Sequence, residues 1–578
     1  MSSRLFKILW AVLSVVLSLS VTAKELPNFN LLDTRETNVE LYGARGKAVA
    51  LFFTGTGCPI ARKSVSKFAK LERDYAAQGV DFWIVNSYAE ESMRDIQKEI
   101  GRLKLREMTY LLDSKQTVAY AYDVNRTAEV ILIDTFTWEA VYRGAIDNQM
   151  TEGTEKPRAS EHYLKTALDQ LLAGEEISTP RTRSVGCIIS YPQVSATDEA
   201  PDYATQVAPI LQKNCVECHQ PGAIGPWSMT SHRRVSNYSA MMEEVLLTRR
   251  MPPWDPHPGY GDFLNDQSLT REEEHTLLSW IKAGNPKGDS HDPLTDPRPK
   301  LPEWRMGNPD AIIKLPEEQK IAATGIEPYR YVEVDNPFDE DVWISGFDVN
   351  PGNHSVLHHV ILYVRWPGVP ESNGKLGQFF YGWAPGASSL KYPEGVAKLL
   401  PANAKLTLEL HYTTIGEPQT DMTEMAIYLA DGPQERIGQT RSAINTRLDI
   451  PPGENDARHT ATYAFKKPAT IYGLFPHMHF RGKWMRYELL LPNGKRETIL
   501  HVPRYDFQWQ LSYYLKEPRH VPAGTWLMVT GSFDNSVGNP NNPDPTKRVV
   551  FGEQSWDEMF IGFFEAADDP EPSVAMGR

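Results

Sequence analysis

The change in residue pattern along this chain is the feature that most constrains its fold. From residue 28 to about residue 172, apolar runs typical of buried strands, such as AVALFF, VDFWIV and EVILID, alternate with helical stretches such as KSVSKFAKLERDYAAQ. This alternation predicts an α/β domain with a largely parallel sheet. Beyond residue 306, short segments such as YRYVEV, VWISGFDV and HHVILYV are separated by turns rich in Pro, Gly, Asn and Asp, which predicts all-β sandwiches.

Domain boundaries follow from these changes in pattern. A sequence of 578 residues exceeds what one hydrophobic core supports, and helical runs such as YATQVAPILQKNC and REEEHTLLSWIKAG fill the middle of the chain. The stretch SHDPLTDPRPKLPEW is rich in Pro and Asp and is predicted to be a linker. The predicted regions are an α/β domain at 24–178, a linker at 179–201, a small all-α domain at 202–290, a linker at 291–306 and two sandwiches at 307–450 and 451–570.

The N-terminus carries the pattern of a secretory signal. Arg4 and Lys7 precede an apolar run from Ile8 to Val21, and Ala23 is a small residue suited to cleavage, so residues 1–23 are predicted to be a signal peptide. An uncleaved membrane anchor is the alternative, but the run is shorter than the roughly 20 residues that a span needs. We therefore expect a periplasmic or otherwise exported protein with no membrane partner after cleavage. A net charge of -14 argues against nucleic acid as a partner.

The cysteines indicate chemistry rather than a disulfide framework, because the whole chain has only four. Two of them form the motif Cys215-x-x-Cys218-His219. Thiols at this spacing can form thioethers to a haem while the adjacent histidine ligates the iron. A zinc pair or a redox dithiol is the alternative, but no second CxxC or paired histidine motif lies nearby. The sequence therefore predicts one covalently attached haem c.

The second axial ligand of this haem is predicted to be Met251. Met229, Met241 and Met242 also follow the CxxCH motif, but Met251 lies in RRMPPWDP, where two prolines hold the chain extended beside the sulfur. The region resembles small c-type cytochrome domains that carry MPPW downstream of CxxCH. Ligation by His and Met would suit electron transfer. The predicted all-α region is thus expected to be a cytochrome c domain.

Five histidines in the β-rich region suggest a metal site. His358 and His359 are adjacent in VLHHVILYV, His411 follows the strand-like KLTLEL, and His477 and His479 lie in FPHMHF. If FPHMHF is a strand, His477 and His479 point to the same face. A single buried histidine usually satisfies a hydrogen bond, but five in three strand-like contexts favour a metal. Imidazoles without a local cysteine favour copper over zinc or iron.

The region from about residue 307 to residue 565 resembles the ascorbate-dependent copper monooxygenases, the family of peptidylglycine α-hydroxylating monooxygenase and dopamine β-monooxygenase. The resemblance rests on the HH pair, the later HY, the HxH motif and a distant methionine in SWDEMFIGFF. It implies jelly-roll-type sandwiches and two copper ions. The ligands that it implies are His358, His359 and His411 for a copper that stores electrons, and His477, His479 and Met559 for a copper that binds O2.

Two features depart from that family. No cysteine follows Cys218, so the disulfides that brace the animal enzymes are missing, which puts domain rigidity and substrate positioning in question. His354, four residues before His358, is not a ligand in the family pattern. It could support the ligands or make an unrelated polar contact.

Cys58 follows an apolar strand and begins a helix in VALFFTGTGCPIARKSV, where the helix dipole lowers the pKa of a thiol. This layout resembles the thioredoxin-like redoxins and the peroxiredoxins. Ala61 stands where a dithiol motif has its second cysteine, Gly55 where a peroxiredoxin has threonine, and Ala128 where thioredoxin folds have a cis-proline. Thiol peroxidase or disulfide reductase activity, a disulfide with Cys187 and an inert thiol therefore all remain open.

Together these features predict an exported copper monooxygenase that hydroxylates a small organic or peptide substrate with O2. Its electron donor would be ascorbate-like or another redox protein, with the fused haem and redoxin modules as internal donors. The alternative is a non-catalytic haem and copper protein that transfers electrons or handles copper. A third interpretation is a thiol-based redox protein, against which the residues at positions 55, 61 and 128 count.

Overall fold

A computed structural model describes residues 25–89, 91–150, 156, 158–192, 199–297, 303–369, 377–385, 389–432 and 434–570. The predicted signal peptide at 1–23 lies outside this part of the chain. The chain divides into two compact units, the first comprising Leu41–Ser190 with the segment up to Asn28, and the second comprising Phe29–Glu40 with the chain from Tyr191 onward. Within the described residues, no helix combines the length and the apolar composition needed to cross a membrane.

The first unit is an α/β fold, as the sequence predicts. A hairpin of β1 (Asn30–Asp33) and β2 (Asn38–Glu40) is counted with the second unit. The strands of the first unit are β3 (Ala48–Thr54), β4 (Val80–Asn86), β5 (Thr109–Leu112), β6 (Val130–Asp134) and β7 (Glu139–Gly144). Its helices are α1 (Pro59–Tyr75), α2 (Met93–Leu103), α3 (Thr117–Ala121) and α4 (Tyr163–Ala173).

The strands of the first unit lie in the order β5-β4-β3-β6-β7. All seven residues of β3 are buried, which is expected of a strand covered on both faces. β3, β4 and β5 are parallel, but β6 pairs antiparallel with both β3 and β7. The expectation of a largely parallel sheet is therefore wrong for β6 alone, because β7 again runs in the direction of β3. The turn between β6 and β7 is too short for the crossover that a parallel pair requires.

Part of the segment predicted to be a linker at 179–201 packs against the first unit instead. Ile188 forms an antiparallel bridge with Arg126, and the backbone N–H of Ile189 donates to the carbonyl of Asn125 at 3.0 Å. A Cβ at Gly186 would lie 1.8 Å from the carbonyl oxygen of Thr127, so only glycine permits this close approach. We call residues 181–189 the strap.

Helices follow in the second unit, where the sequence predicts an all-α region. A π-helical turn at Tyr203–Val207 leads into α5 (Ala208–Asn214), and α6 (His232–Asn237), α7 (Ser239–Leu247) and α8 (Arg271–Lys282) complete the region. A capping box at Thr270 and Glu273 starts α8. Trp280 is fully buried and packs with Tyr203 and His232 in the core of this region.

The rest of the second unit is β-structure, in agreement with the predicted sandwiches. Its strands are β8 (Ala311–Lys314), β9 (Gln319–Ile321), β10 (Arg330–Val334), β11 (Val342–Asn350), β12 (Leu357–Arg365), β13 (Gln378–Trp383), β14 (Leu390–Lys391), β15 (Val396–Leu400), β16 (Lys405–Tyr412), β17 (Gln419–Asp421), β18 (Glu424–Leu429), β19 (Arg436–Ile444), β20 (Asp449–Ile450), β21 (Ala457–Ala464), β22 (Ala469–His477), β23 (Gly482–Leu490), β24 (Arg496–Val502), β25 (Tyr513–Val521), β26 (Trp526–Phe533), β27 (Val549–Val550) and β28 (Ile561–Asp568).

One long sheet serves both sandwiches. It has the order β25-β22-β28-β19-β15-β11-β18-β8, with β14 paired to β11, and two four-stranded sheets, β10-β16-β12-β13 and β21-β26-β23-β24, complete the two cores. The parallel pairing of β15 with β19 joins its two halves. β19 pairs with β28, so the chain enters the second sandwich before the expected boundary at residue 450.

Candidate metal centre and thiol pair

Three buried histidines of the first sandwich converge on one point. His358 and His359 lie at the start of β12 and His411 near the end of β16, and possible ligand atoms of all three lie within 4.8 Å of one another. Nδ1 of His358 is 3.2 Å from Nδ1 of His359 and 3.2 Å from Nδ1 of His411. The structure thus brings together the first set of histidines that the family resemblance implies.

An irregularity in strand pairing explains how two adjacent residues reach the same point. Successive side chains of a regular strand point to opposite faces. The pairing of β12 with β16 shifts its register between Leu357 and His359, and His359 then pairs directly with His411. Such a bulge re-aims a side chain. His358 can therefore join His359 and His411.

The three imidazoles are neutral at physiological pH. Burial, helped by the nearby His359 and His477, lowers the pKa of His358 to about 3. Burial also lowers the pKa of His359 to about 3, and burial together with the neighbouring histidines holds the pKa of His411 well below its usual value. A neutral imidazole offers a lone pair to a metal. The group therefore has the donor type that copper prefers.

The contacts of this group also fit a shared cation. The Nδ1 atom of a neutral imidazole has either one proton or one lone pair, so Nδ1 of His358 cannot make full hydrogen bonds to both His359 and His411. Within the part of the chain that the structure describes, the buried Nε2 atoms of His358 and His359 have no hydrogen-bond partner. Nε2 of His359 lies 3.5 Å from Oε1 of Glu409 without forming a hydrogen bond. Unpartnered buried nitrogens are costly unless a ligand satisfies the site.

His477 and His479 form a second group at the end of β22. The strand ends at His477, so the predicted strand through FPHMHF is shorter than expected. The chain leaves the sheet because the backbone N–H groups of His479 and Arg481 donate to the carboxylate of Glu558, at 2.8 and 2.7 Å. The two imidazole centroids nevertheless lie 5.2 Å apart. The two imidazoles therefore lie side by side, as a strand through FPHMHF would place them, although the strand itself ends at His477.

The two histidines of the second group have different partners. Nδ1 of His477 is 2.6 Å from Oε1 of Gln510, which fixes the orientation of the ring. Neither ring nitrogen of the fully buried His479 makes a well-formed hydrogen bond among the described residues, although the backbone of Gln554 and Asp557 lies near the ring. Burial lowers the pKa of His477 to about 4, and burial with the neighbouring His477 holds the pKa of His479 well below its usual value. Both rings are therefore neutral and available to a metal.

Glu558 shapes the turn that carries His479. It is completely buried, and burial raises its pKa to about 8 although the backbone N–H groups of Arg481 and His479 oppose that shift. The Arg481 side chain donates to Asn535 Oδ1 at 3.0 Å and to the carbonyl of Trp556 at 2.9 Å. This network fixes the backbone next to the second group.

Two aromatic rings separate the two histidine groups. The centroid of Tyr329 lies 4.6 Å from that of His411 and 6.2 Å from that of His479. Phe507 stacks on His358 at 4.8 Å and lies 6.0 Å from His479. Each ring therefore contacts both groups, and the five histidines belong to one continuous buried cluster.

Met559 and His354 lie near the two groups in different ways. Met559 is half-buried and directly follows Glu558. Glu558 accepts the backbone N–H of His479 at 2.8 Å, so the residue directly before Met559 contacts the second group. His354 is half-buried in the turn before β12, and it is not a member of the group formed by the other histidines of the first sandwich.

The CxxCH motif follows α5 directly. Nδ1 of His219 is 3.0 Å from the carbonyl oxygen of Trp227, which leaves Nε2 as the nitrogen that could ligate an iron. Burial raises the pKa of the Cys215 thiol to about 12 and also raises the pKa of Cys218. Neutral thiols in an apolar setting are expected of sulfurs placed against a haem rather than of a reactive dithiol.

The four methionines of this region have different surroundings. Met229 and Met242 pack in the core of the helical region, and Met241 is 49% exposed. Met251 is half-buried at the end of the turn that follows α7. Three residues later, Trp254 packs in the core of the second sandwich. The segment that carries Met251 is thus held at both ends.

Cys58 and Cys187 lie together in the first unit. Both are free thiols, and their Sγ atoms are 2.8 Å apart. Cys58 is 3% exposed at the N-terminus of α1, whereas Cys187 is half-buried on the strap. The Oγ of Thr127 lies 3.0 Å from the Cys58 sulfur and accepts the backbone N–H of Cys187 at 2.9 Å. The disulfide with Cys187 that the sequence left open is therefore sterically possible.

Several residues of the cluster were missed by sequence reasoning. Glu409 could have been found, because it lies two residues before His411 on the same strand face. Glu558 could have been suspected as the neighbour of Met559. Gln510, Tyr329 and Phe507 gave no signal, because they lie outside the strands that carry the histidines and reach the cluster through tertiary packing.

Similar proteins are found for two parts of the chain. Residues 22–146 match the AhpC/TSA family. The thiol-disulfide oxidoreductase ResA of Halalkalibacterium halodurans is 31% identical over 136 residues, which are 23% of this chain and 76% of that protein. A crystal structure of an uncharacterized conserved protein from Geobacillus kaustophilus shares 28% identity with a TM-score of 0.27, covering 30% of this chain and 93% of that chain.

The C-terminal regions have a more distant relative. DBH-like monooxygenase protein 1 of Homo sapiens is 20% identical over 320 residues. The match covers 46% of this chain and 51% of the human protein, so the chain spans about half the length of that relative.

Proposed function

The N-terminal part of the chain belongs to the thioredoxin-like AhpC/TSA family, and from this premise of a redox module we propose that the whole protein is an exported copper-dependent monooxygenase. In this proposal the second unit hydroxylates an organic substrate with O2, and the haem and thiol modules supply electrons. Export rests on the signal pattern at residues 1–23. The observation that carries the proposal is the convergence of three neutral, buried imidazoles from β12 and β16.

The first histidine group would hold one copper through His358, His359 and His411. Bound copper at the two groups would supply the one-electron chemistry by which O2 is activated. The protein holds the imidazoles neutral by burial, and it fixes their orientation through the pairing of β12 with β16. The similarity to DBH-like monooxygenase protein 1 over 320 residues supports this assignment.

The second group would hold the other copper through His477, His479 and Met559. The position of Met559 supports this set, because it directly follows Glu558, whose carboxylate accepts the backbone N–H of His479. A thioether is a soft ligand and favours Cu(I). Gln510 orients His477, and Glu558 holds the backbone of His479 in place.

The haem would be attached at Cys215 and Cys218, with His219 and Met251 as axial ligands. The hydrogen bond between Nδ1 of His219 and the Trp227 carbonyl supports ligation through the other ring nitrogen. Packing of Met229 and Met242 into the core supports Met251 as the second ligand. A haem that survives denaturation and acid extraction would test the thioethers, and extraction of the haem into organic solvent would refute them.

Contacts between the helical region and the second sandwich support electron delivery from the haem. The Arg504 guanidinium donates to Asp255 Oδ1 at 2.7 Å and to the carbonyl of Arg249 at 2.6 Å. The rings of Trp254 and Tyr513 lie 5.2 Å apart, and Tyr513 is three residues from Gln510, which contacts His477. The segment that follows Met251 therefore packs against the part of the second sandwich that also carries Gln510.

One observation favours the non-catalytic alternative, a haem and copper protein that transfers electrons or handles copper. The cavity lined by Phe475 and Phe563, whose rings lie 6.5 and 6.1 Å from His477, has a volume of only about 20 Å³. That is room for about one water molecule. None of the five histidines lines this cavity, and a substrate that approached the second group from this side would need more space than the cavity has.

The decisive experiment measures metal content and coupled turnover on the purified full chain. We expect two coppers and one haem per chain, and ascorbate-driven O2 consumption that rises with a hydroxylatable substrate and matches product formed. His354→Ala is the matched control, because this histidine lies four residues from His358 and outside the group. Two bound coppers with no substrate-dependent O2 consumption across a broad substrate panel would favour the non-catalytic alternative.

A further inference from the structure

We propose that Cys58 and Cys187 form a reversible dithiol/disulfide pair in which Cys187, on the strap, is the sulfur that exchanges with external dithiols. Ala61 occupies the position where a helix-start dithiol motif has its second cysteine, so α1 offers one thiol only. The strap supplies the other thiol from 129 residues away in sequence. The inference does not depend on copper or haem.

The geometry brings the two sulfurs into bonding range. At 2.8 Å the thiol of Cys187 donates to the sulfur of Cys58, and closure to the roughly 2.05 Å of a disulfide needs only a small displacement. The strap is held in register by Thr127, whose backbone N–H donates to the Cys187 carbonyl at 2.9 Å. Ser184 donates to the Thr127 carbonyl at 3.1 Å. The pair is therefore positioned by several contacts on both sides of the strap.

The exposures of the two sulfurs assign their roles. Cys58 is 3% exposed, whereas Cys187 is half-buried and therefore the one that an external thiol can approach. Burial opposes ionisation of Cys58, but hydrogen bonds from Cys187 and Thr127 outweigh it and lower the pKa of Cys58. The Thr127 hydroxyl accepts the Cys187 N–H, and its own proton can be donated to the Cys58 sulfur at 3.0 Å or to the more distant Cys187 carbonyl at 3.5 Å. Cys58 is thus the better leaving group, and a leaving thiol of lower pKa departs faster.

Reduction of the pair takes two thiol–disulfide exchange steps. A thiolate of an external dithiol attacks Cys187 Sγ, the Cys58–Cys187 bond breaks, and its electron pair leaves on Cys58 Sγ. The second thiolate of the external dithiol then attacks the external sulfur of the mixed disulfide and releases Cys187. Both cysteines end as thiols with the two protons of the dithiol, which itself becomes a disulfide. The reverse sequence oxidises the pair at the expense of an external disulfide.

These roles are opposite to those expected from a cysteine at a helix start, which would be the exposed nucleophile. Here the strap covers Cys58 and places Cys187 where an external thiol can reach it. Tyr88 packs closely against Gly55. The position of its ring leaves no space for a Cβ at residue 55, where one would lie 2.3 Å from the ring. Gly55, which departs from the peroxiredoxin pattern, is explained by this packing.

Single-cysteine variants test the assignment in the full chain. Cys58→Ser and Cys187→Ser are each incubated with oxidised glutathione, and the adducts are located by peptide mass mapping, so that Cys215 and Cys218 are scored separately. We expect a glutathione adduct on Cys187 in Cys58→Ser, and roughly tenfold slower modification of Cys58 in Cys187→Ser. Equal or faster modification of Cys58 would overturn the assigned roles.

The wild-type chain is tested in glutathione buffers of graded ratio. We expect a Cys58–Cys187 linked peptide that appears and disappears reversibly, and absence of that peptide at every ratio would refute the pair. Reduction by dithiothreitol but not by a reduced thioredoxin would assign a small dithiol as partner, and reduction by both would admit a protein dithiol. Failure of both to reduce the linked peptide would refute the exchange.

The contribution of Thr127 provides a second readout. Thr127→Val removes the donor to Cys58, so we expect dithiothreitol to reduce the disulfide roughly tenfold more slowly. Thr127→Ser keeps the hydroxyl and should restore the rate. A Thr127→Val rate equal to that of the wild type would contradict the role of Cys58 as the stabilised leaving group. Copper and haem content should stay unchanged in all these variants, because the two thiols lie outside the histidine groups and the CxxCH motif, and this separates the inference from the proposed function.

Discussion

The two histidine groups of the second unit are built in different ways. The first takes all its imidazoles from two hydrogen-bonded strands, β12 and β16, and a bulge in their pairing is enough to bring them together. The second lies beyond the end of β22 and depends on Gln510 and Glu558, which are 33 and 79 residues away in sequence from the residues they contact. Local pairing thus fixes the first group, and tertiary packing fixes the second.

This difference has a chemical counterpart. Three imidazoles in mutual contact form a complete set of nitrogen donors within one sheet. The second group has only two imidazoles, so a metal there needs a ligand from another segment. In the proposed function the first group would hold the copper that stores an electron, and the second, with a soft third ligand, the copper that reacts with O2. The comparison predicts that damage to the two groups has different consequences.

Replacement of a ligand in the first group should have the largest effect. In His411→Ala we expect copper content to fall from two to one per chain and coupled hydroxylation to fall by about 100-fold or more, because two imidazoles remain where three are needed. Copper analysis and product formation measure both effects. The His354→Ala control should keep both coppers and full activity. If His411→Ala retained two tightly bound coppers, the first group would not be a metal site.

Replacement of Met559 should abolish hydroxylation while leaving most copper in place. Met559→Ile removes the thioether but none of the imidazoles, so the first group should keep its copper fully. X-ray absorption of the reduced protein should lose its copper–sulfur component.

The control for this variant is Met478→Ile, which changes the fully buried methionine between His477 and His479. A swap of similar volume in the core should cost less than about 1.5 kcal/mol and preserve the copper–sulfur signal. Loss of that signal in Met478→Ile, or its persistence in Met559→Ile, would exclude Met559 as the ligand.

Replacement of Gln510 should have a moderate effect that is confined to the second group. Without the acceptor at 2.6 Å from Nδ1, the His477 ring loses its fixed orientation. We therefore expect Gln510→Ala to weaken copper binding at the second group by about tenfold. Competition with a copper chelator measures the affinity of each copper in turn.

Gln508→Ala is the matched control, because Gln508 is exposed in the same segment. It should leave both affinities unchanged. A change in the affinity of the first group in Gln510→Ala would show that the two groups are coupled, and would break the distinction between them.

The parts of the site that the sequence could predict are those set by local pattern. The alternation in KLTLELHY predicts β16, and the apolar run HHVILYV predicts β12, so the histidines could be placed on strands before the structure was known. The bulge after Leu357 has no signature in the sequence, because it depends on how β12 pairs with a strand 50 residues away. The end of β22 at His477 was missed because Glu558 competes for the backbone N–H groups that would continue the strand.

The same distinction between local pattern and long-range pairing applies to the fold. Buried strands and amphipathic helices predicted the α/β class of the first unit, but the antiparallel pairing of β6 with β7 depends on a turn length that apolar runs do not reveal. Likewise, two sandwiches follow from the many short strands, whereas the long sheet that they share requires the parallel pairing of Val396 and Ala397 with β19. Pairings between distant segments are the information that residue patterns lack.

The smallest expected effect concerns the ring between the two groups. The Tyr329 hydroxyl is buried and, although Ser555 is near, makes no hydrogen bond among the described residues. Burial raises its pKa, so it stays protonated. Tyr329→Phe keeps the ring against His411 and His479 and removes only an unsatisfied polar atom. We expect the free energy of unfolding to change by less than about 0.5 kcal/mol, with both coppers and full activity retained.

Tyr329→Ala provides the contrast, because it removes the ring that both groups contact. Loss of a large buried side chain should cost about 3 to 5 kcal/mol and weaken copper binding at both groups. Comparison of Tyr329→Phe with Tyr329→Ala therefore separates the contribution of the hydroxyl from that of the ring. If Tyr329→Phe lost activity more than about tenfold while keeping both coppers and its stability, the hydroxyl would act in the reaction itself. Tyr329, which lies between the two groups, would then belong to the catalytic site.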